Sequence, residues 1–202
     1  MYIIFLKNFF HFCEPNQKNN SLMYKGVNRM DLSNLTKAEK EELFISLVNP
    51  LKSKLYKTGM AILKNDDDCA DAIQETLISS YKSLEKLENR EYFSTWMIRI
   101  MINKCYDIIK KNQKVSYINE QVKEYSQTSY YDRYCEESDV ERALNTVSED
   151  LRLVTVLYYY DGFSVKEIAE ICNIPEGTVK SRISRAREKL YILLKEEGES
   201  IG

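Results

Sequence analysis

The sequence predicts an all-α protein, and three observations carry that expectation. Six glycines and three prolines in 202 residues leave little turn punctuation for a many-stranded sheet. Long runs of helix formers carry apolar residues at spacings of three and four. Thr36…Glu39 and Ser164…Glu167 have the Ser/Thr-x-x-Glu spacing that opens a helix by satisfying two orphan backbone donors. The expected layout is an N-terminal four-helix domain at 31–113, a flexible linker at 114–138, and a helix-turn-helix domain at 139–195 with a tail at 196–202. Residues 1–30 are expected to be a disordered extension or a misassigned start.

The opening MYIIFLKNFFHF is apolar. It is too short for a bilayer span, which needs ~20 residues. A basic start and a small-residue cleavage site are also missing, which argues against a secretory signal. In-frame Met23 and Met30 make an upstream start codon a reasonable account of residues 1–29. The first helix is expected from Lys37 to about Val48, after the Thr36 cap. Asn49-Pro50 reads as an N-cap with proline at the first helical position, opening a helix with Leu51, Leu55, Gly59, Ile62 and Leu63 on one side. Asn65 and Asp66-Asp67-Asp68 place negative charge at the positive dipole end of a third helix. Along it Ala70, Ile73, Leu77, Tyr81 and Leu84 recur at helical spacing. A fourth helix, Phe93 to Lys111, turns Phe93, Trp96, Ile100 and Cys105 or Ile108 to the core.

From Lys114 to Ser138 the periodicity fades into an acidic stretch with five tyrosines (Tyr117, Tyr125, Tyr130, Tyr131 and Tyr134), read as an extended linker. Val140–Val147 is expected to form a short helix. Ser148 is expected to cap the next, with Leu151, Val154 and Leu157 inside and Gly162 just past its end. A short helix follows Ser164, with Ile168 and Ile171 buried. Cys172 to Pro175 make a turn, and a final helix runs from about Gly177 to Leu194.

The net charge of −2 conceals a local pattern. Arg99, Lys104, Lys110, Lys111 and Lys114 face only Asp107, while Lys180, Arg182, Arg185, Arg187 and Lys189 face Glu176 and Glu188. Between these patches lies the acidic stretch. Two basic patches set apart in this way point to polyanion contact at two places. The five cysteines contain no closely spaced pair and the one histidine is His11, which argues against zinc and fits thiols in a reducing cytoplasm. Asp66-x-Asp68 has the form of a metal-holding pair, but its place at a helix start makes capping the better account. No cofactor is expected.

In the last helix Val179, Ile183, Ala186 and Leu190 form one apolar stripe. The opposite face presents Lys180, Ser181, Ser184 and Arg185, flanked by Arg182 and Arg187. Long donors and small hydroxyls can read base edges in a major groove while flanking arginines hold phosphates. A solvated basic face is the plainer alternative. The ordered sequence of capping box, short helix, tight turn and basic amphipathic helix favours DNA binding.

The run VLYYYDGFSVKEIAEICNIPEGTVKSRISRAREKL resembles the promoter-binding C-terminal domain of extracytoplasmic-function sigma factors. Upstream, DDDCADAIQETLISSYKSL resembles the segment with which that family grips RNA polymerase, and FSTWMIRIMINKCYDIIKK resembles its promoter-melting helix. The likeness covers about 31–195, assigning 31–113 to region 2 and 139–195 to region 4. It implies that Asp71, Gln74 and Glu75 face the polymerase; their spacings put them on one side of the third helix, opposite Ile73 and Leu77. An acidic, amide-bearing face suits a basic partner helix, though an ordinary solvated face looks the same. The turn from Glu88 to Tyr92 corresponds to the loop that captures a flipped −10 base, with Asn89, Arg90 and Tyr92 to bond and stack. Trp96 is either a core residue or a wedge beside unpaired bases. Asn103 matches a position near DNA, and Lys104, Lys110 and Lys111 are candidate phosphate contacts.

The resemblance implies an alternative sigma factor: it binds core RNA polymerase, recognises −10 and −35 promoter elements, and performs no chemistry itself. Its implied partners are core polymerase, promoter DNA and an anti-sigma factor, in the cytoplasm, with neither a small-molecule substrate nor membrane insertion. The rival readings are a stand-alone helix-turn-helix regulator that binds duplex DNA without polymerase, and a DNA-acting enzyme. The first has no need of Asp71 to Glu75, and the second lacks a catalytic constellation. Arg185→Ala should weaken transcription from the cognate promoter by roughly 1–3 kcal/mol if Arg185 pairs bidentately with guanine. Unchanged promoter selectivity in run-off transcription would remove it from the base-reading set.

Overall fold

A computed structural model describes residues 32, 34–87, 89–119 and 139–199. The expected disordered extension and most of the expected linker lie outside the described residues. Among the described residues eight α-helices follow in order: α1 (Lys37–Val48), α2 (Lys52–Leu63), α3 (Asp66–Ser83), α4 (Phe93–Asn119), α5 (Asp139–Thr146), α6 (Glu149–Thr155), α7 (Val165–Cys172) and α8 (Glu176–Glu199). Short 3-10 turns at Asn49–Leu51, Leu84–Lys86 and Arg90–Tyr92 join the first four, and a π-helical turn at Val156–Tyr160 extends α6.

The local start signals act as the sequence indicates. Thr36 and Glu39 form a full capping box on α1, and Asn65 accepts a hydrogen bond from the Asp68 N–H at the start of α3. Two expected caps do not form. Asn49 keeps helical backbone angles (φ −49°, ψ −45°), so α1 passes through a 3-10 turn with Pro50 in its first turn, and α2 begins only at Lys52. Proline lacks the N–H that such a turn leaves unpaired, so the chain bends without leaving helical space. Ser148 stands at the N-cap of α6, but its side chain makes no capping bond. Helix α4 continues to Asn119, past the expected end at Lys111 and into the expected linker. No Gly or Pro interrupts Asn112 to Asn119, so nothing in the local sequence stops the helix there. Helix α8 likewise reaches Glu199, into the expected tail.

Helices α2, α3 and α4 pack against one another, with Leu55, Ile73, Met97, Ile98 and Met101 fully buried among them. Gly59 permits the close approach: a Cβ there would lie 2.5 Å from the Cys69 sulfur and 2.6 Å from Met101 Cε. In the C-terminal set, α6, α7 and α5 each pack on α8. Every residue from Leu151 to Leu157 is buried, Arg152 among them. Gly162 takes φ +73° directly after the π turn, a conformation glycine adopts without a Cβ penalty, and so swings the chain into α7.

The two sets share one apolar cluster, in which Leu55 and Met97 are continuous with Leu157, Ile168 and Val179. α2 packs on α6 and the π turn, and α4 packs on α7. Directed bonds cross the same boundary. Arg152 Nε donates to the Ala61 carbonyl at 2.6 Å, Lys64 Nζ to the Asn145 carbonyl at 2.7 Å, and the Tyr106 hydroxyl to Glu149 at 2.9 Å. Lys54 donates to the Asp161 carbonyl, and Arg99 to the Glu170 carbonyl.

Asp161 is the least satisfied group of this boundary. It is 4% exposed; Oδ2 accepts from Thr58 at 3.3 Å, while Oδ1 has no hydrogen-bond partner among the described residues. Burial raises its carboxyl to about 7, against the opposing pull of Lys54, Lys57 and the Thr58 hydroxyl. The folded chain therefore holds this proton where the unfolded chain, with a pKa near 4, has lost it. Stability falls as pH rises from about 4 and levels off above about 7. Between pH 6 and pH 8 the wild type should lose about 1 kcal/mol relative to Asp161→Asn. Parallel pH profiles in urea titrations of the two proteins would show that Asp161 does not titrate in this way.

Candidate promoter and polymerase interfaces

The helix-turn-helix is positioned from its first residue. Ser164 Oγ accepts the Glu167 N–H at 3.2 Å, and Glu167 Oε2 accepts the Ser164 N–H at 2.8 Å, closing the capping box of α7. The Ser164 hydroxyl also donates to Glu167 Oε2 at 2.7 Å, and this bond, with that from the Ser164 N–H, holds the Glu167 carboxyl below its ordinary range. α7 ends on Asn173 in the left-handed region (φ 53°), one of the few non-glycine residues that tolerate it. The Pro175 carbonyl then accepts the N–H groups of Thr178 and Val179 at 2.9 and 3.1 Å, which launches α8.

On α8 the expected apolar stripe is inside: Val179, Ile183 and Ala186 are buried and Leu190 is half-buried. Lys180, Ser184 and Arg185 are exposed on the opposite face and engage no partner among the described residues. The other three expected DNA-contacting residues are already engaged. Ser181, half-buried, donates to the Thr178 carbonyl at 2.9 Å. Arg182 pairs with Asp150 at 2.7 Å. Arg187 donates twice to the Tyr159 hydroxyl, at 3.1 and 2.7 Å. The face able to enter a groove thus narrows to one long cation at each end of a serine.

The expected polymerase-facing residues share one side of α3. Asp71 and Glu75 are exposed and Gln74 is half-buried, while Ile73 and Leu77 are buried on the other side. Lys104 of α4 reaches Glu75 at 3.3 Å. Between groups this exposed, the pair contributes little to stability and yields readily to a competing partner.

At the start of α4, Asn89 Oδ1 accepts the Glu91 N–H at 2.9 Å. That bond caps the 3-10 turn. Tyr92 is 58% exposed. Trp96 is half-buried, its ring 5.8 Å from that of Phe93, which packs edge-on against Phe44 at 6.2 Å. The indole thus serves the rim of the core and keeps part of its surface outside. Asn103, Lys110 and Lys111 are exposed, Arg90 is half-buried, and Lys104 is held by Glu75. No group of His, Cys, Asp and Glu among the described residues is arranged to hold a metal. Asp68, from the Asp-x-Asp pair, accepts a hydrogen bond from Asn112 at 3.3 Å, and Asp66 accepts one from the Tyr56 hydroxyl at 2.8 Å. No helix among the described residues is long and apolar enough to cross a membrane.

Sequence reasoning did not single out Arg152, Asp161 or Lys54. The run from Leu151 to Leu157 is apolar apart from Arg152 and Thr155, a density that signals burial nearly all round, and an arginine within it shares that burial.

Comparison with known proteins bears directly on this arrangement. Residues 47–115 match the family model described as Sigma-70 region 2, and residues 138–190 match Sigma-70, region 4. The ECF RNA polymerase sigma factor SigW of Bacillus subtilis is 33% identical, in an alignment covering 74% of this chain and 88% of that protein. The chain belongs to the extracytoplasmic-function sigma factor family. Another member, the RNA polymerase sigma factor SigV of the same organism, is 26% identical over 77% of this chain and 93% of its own length. Among solved structures, the sigma factor RpoE of Bartonella quintana, in complex with the anti-sigma factor NepR, is 29% identical. It superposes with a TM-score of 0.62 over 79% of this chain and 98% of that one. CnrH, in complex with the cytosolic domain of CnrY, shares the fold at a TM-score of 0.57 and 23% identity, over 77% of this chain and 90% of that one. Sigma factors of this family regulate transcription rather than catalyse a reaction.

The family's region 4 match begins at residue 138 and so includes the capping box that sets α7. Ser164→Ala should cost about 1 kcal/mol of stability, because the first turn of α7 loses a bonded donor. Thermal denaturation followed by circular dichroism measures this, and a loss no larger than that of an exposed Ser→Ala elsewhere would show that the cap does not hold the helix.

Proposed function

We propose that this sigma factor recruits core RNA polymerase through the Asp71, Gln74 and Glu75 face of α3 and directs it to promoters read in two parts. The −35 element is read by Lys180, Ser184 and Arg185 of α8, with Arg182 and Arg187 released from Asp150 and Tyr159 to hold phosphates. The −10 element is opened and held by Asn89, Arg90, Tyr92 and Trp96, with Asn103, Lys104, Lys110 and Lys111 along the backbone. The chain does no chemistry; the polymerase supplies it, in the cytoplasm. Its third partner is an anti-sigma factor.

The observation that carries this reading is a division of faces within one family member. A basic face on α8 and an acidic, amide-bearing face on α3 are both exposed, and each is backed by a buried apolar stripe. A regulator acting on duplex DNA alone needs only the first. Each face alone is a weak site, and affinity comes from tethering both through the enzyme.

The test is binding in two steps. The wild-type chain should comigrate with core polymerase, and the triple substitution Asp71→Ala, Gln74→Ala, Glu75→Ala should weaken that association about tenfold or more. Promoter duplex should shift tightly only when both chain and core are present. A tight shift by the chain alone, unaltered by core, would favour the stand-alone regulator instead.

A further inference from the structure

We propose that Asp150 sets the affinity of the −35 contact: its carboxylate stands where a DNA phosphate would stand, and Arg182 must leave it before reaching the backbone. The inference deepens the −35 reading of α8 given above and rests on it.

Of the arginines and lysines assigned to DNA on α8, Arg182 alone pairs with a carboxylate among the described residues. Its Nη2 donates to Asp150 Oδ2 at 2.7 Å, the length of a charge-assisted bond. Arg187, on the other flank, is held by the neutral hydroxyl of Tyr159 and so keeps its whole charge. The two flanking arginines therefore differ in kind. Arg187 presents its charge to any polyanion, whereas Arg182 presents it only to an anion that displaces Asp150. A carboxylate and a phosphate offer a guanidinium the same fork of acceptor oxygens, so the two compete for one set of donors.

The carboxylate is delivered to α8 by a separate, well-fixed helix. Asp150 lies in the first turn of α6, and the next two residues, Leu151 and Arg152, are buried. Its neighbour Glu149 is occupied by the Tyr106 hydroxyl at 2.9 Å. The ion pair is not what keeps α6 on α8, because Val147, Leu151 and Ala186 form an apolar cluster there with Leu190 against it. Asp150 is exposed and Arg182 half-buried, so water screens the pair, and a pair of this kind adds little to stability. What it changes is the charge that α8 offers to DNA, which falls by one while Arg182 is held.

A duplex that takes Arg182 must break this bond, and the freed carboxylate then lies beside the phosphate that replaced it. Both effects oppose DNA binding. The −35 contact is therefore weaker than the basic face of α8 could make it. A two-part address needs that weakness: a helix-turn-helix that gripped one element tightly would hold the chain on isolated −35 sequences, with no −10 element in reach.

The experiment measures anisotropy of two labelled duplexes: a promoter recovered by sequencing transcript 5′ ends, and the same fragment with its −35 element scrambled. Asp150→Asn in the full chain should tighten binding to the intact promoter about threefold or more, and the gain should shrink as salt is raised from about 0.05 M to about 0.5 M. Asp150→Glu keeps the charge and should bind as the wild type does. If circular dichroism shows that Asp150→Asn does not fold, Asp150→Ser makes the same change of charge. A second arm repeats Asp150→Asn in an Arg182→Gln chain, where the gain should fall by half or more, since no arginine is left to release. No gain, a gain indifferent to salt, or an equal gain without Arg182 overturns the competition at Asp150. Equal binding of both duplexes by the wild-type chain with core polymerase overturns the −35 reading instead.

Discussion

Arg152 is the group on which the arrangement of the two helical sets depends. It carries a full charge at 5% exposure and donates to two carbonyls, Nε to Ala61 at 2.6 Å and Nη1 to Val147 at 3.1 Å. Ala61 lies in the last turn of α2, where carbonyls have no intrahelical donor and where the negative end of the helix dipole sits. The guanidinium and the helix end satisfy each other. Burial lowers the arginine's pKa, with Glu149 opposing, yet an arginine keeps its proton at any physiological pH. Losing either partner would strand the other in an apolar boundary, which is why this one bond fixes where α6 stands against α2.

From α6 the rest of the C-terminal half follows. The π turn and Gly162 end it, the Ser164 box aims α7, and Asn173 reverses the chain into α8. The functional face of α8 is set by what lies beneath it. Val179, Ile183 and Ala186 can be buried only if Lys180, Ser184 and Arg185 are turned outward. The same holds on α3, where burial of Ile73 and Leu77 turns Asp71 and Glu75 to the surface. The faces of α3 and α8 thus carry opposite charge, and the near-neutral net charge of the whole chain conceals both. Local fields, not the total, decide which polyelectrolyte each face meets.

Much of this was legible because it is local. The Thr36 and Ser164 boxes, the Asn65 cap, the stripe of α8 and Gly162 past the π turn depend on neighbours within four residues, so spacing alone reveals them. Asn49 misled because a cap and a 3-10 junction call for the same residue types, and the choice between them is made by the packing of Leu51 and Leu55. The end of α4 misled because a fading apolar pattern does not by itself end backbone hydrogen bonding. Arg152, Lys54 and Asp161 were hidden for a different reason. Their roles come from partners more than 90 residues away, and a chain read in order does not show that α2 and α6 meet. At the candidate site the same limit applies: spacing found the faces, but not that Arg182 and Arg187 are held by Asp150 and Tyr159.

The central claim is that this chain gives core RNA polymerase a promoter address in two parts. The most direct measurement is reconstituted transcription from fragmented genomic DNA with core polymerase and the purified chain, followed by sequencing of transcript 5′ ends. The account predicts a discrete set of starts, absent with core alone, that share two upstream motifs at near-constant spacing. Starts indistinguishable from those of core alone, or sharing one motif with no second at fixed distance, would contradict it.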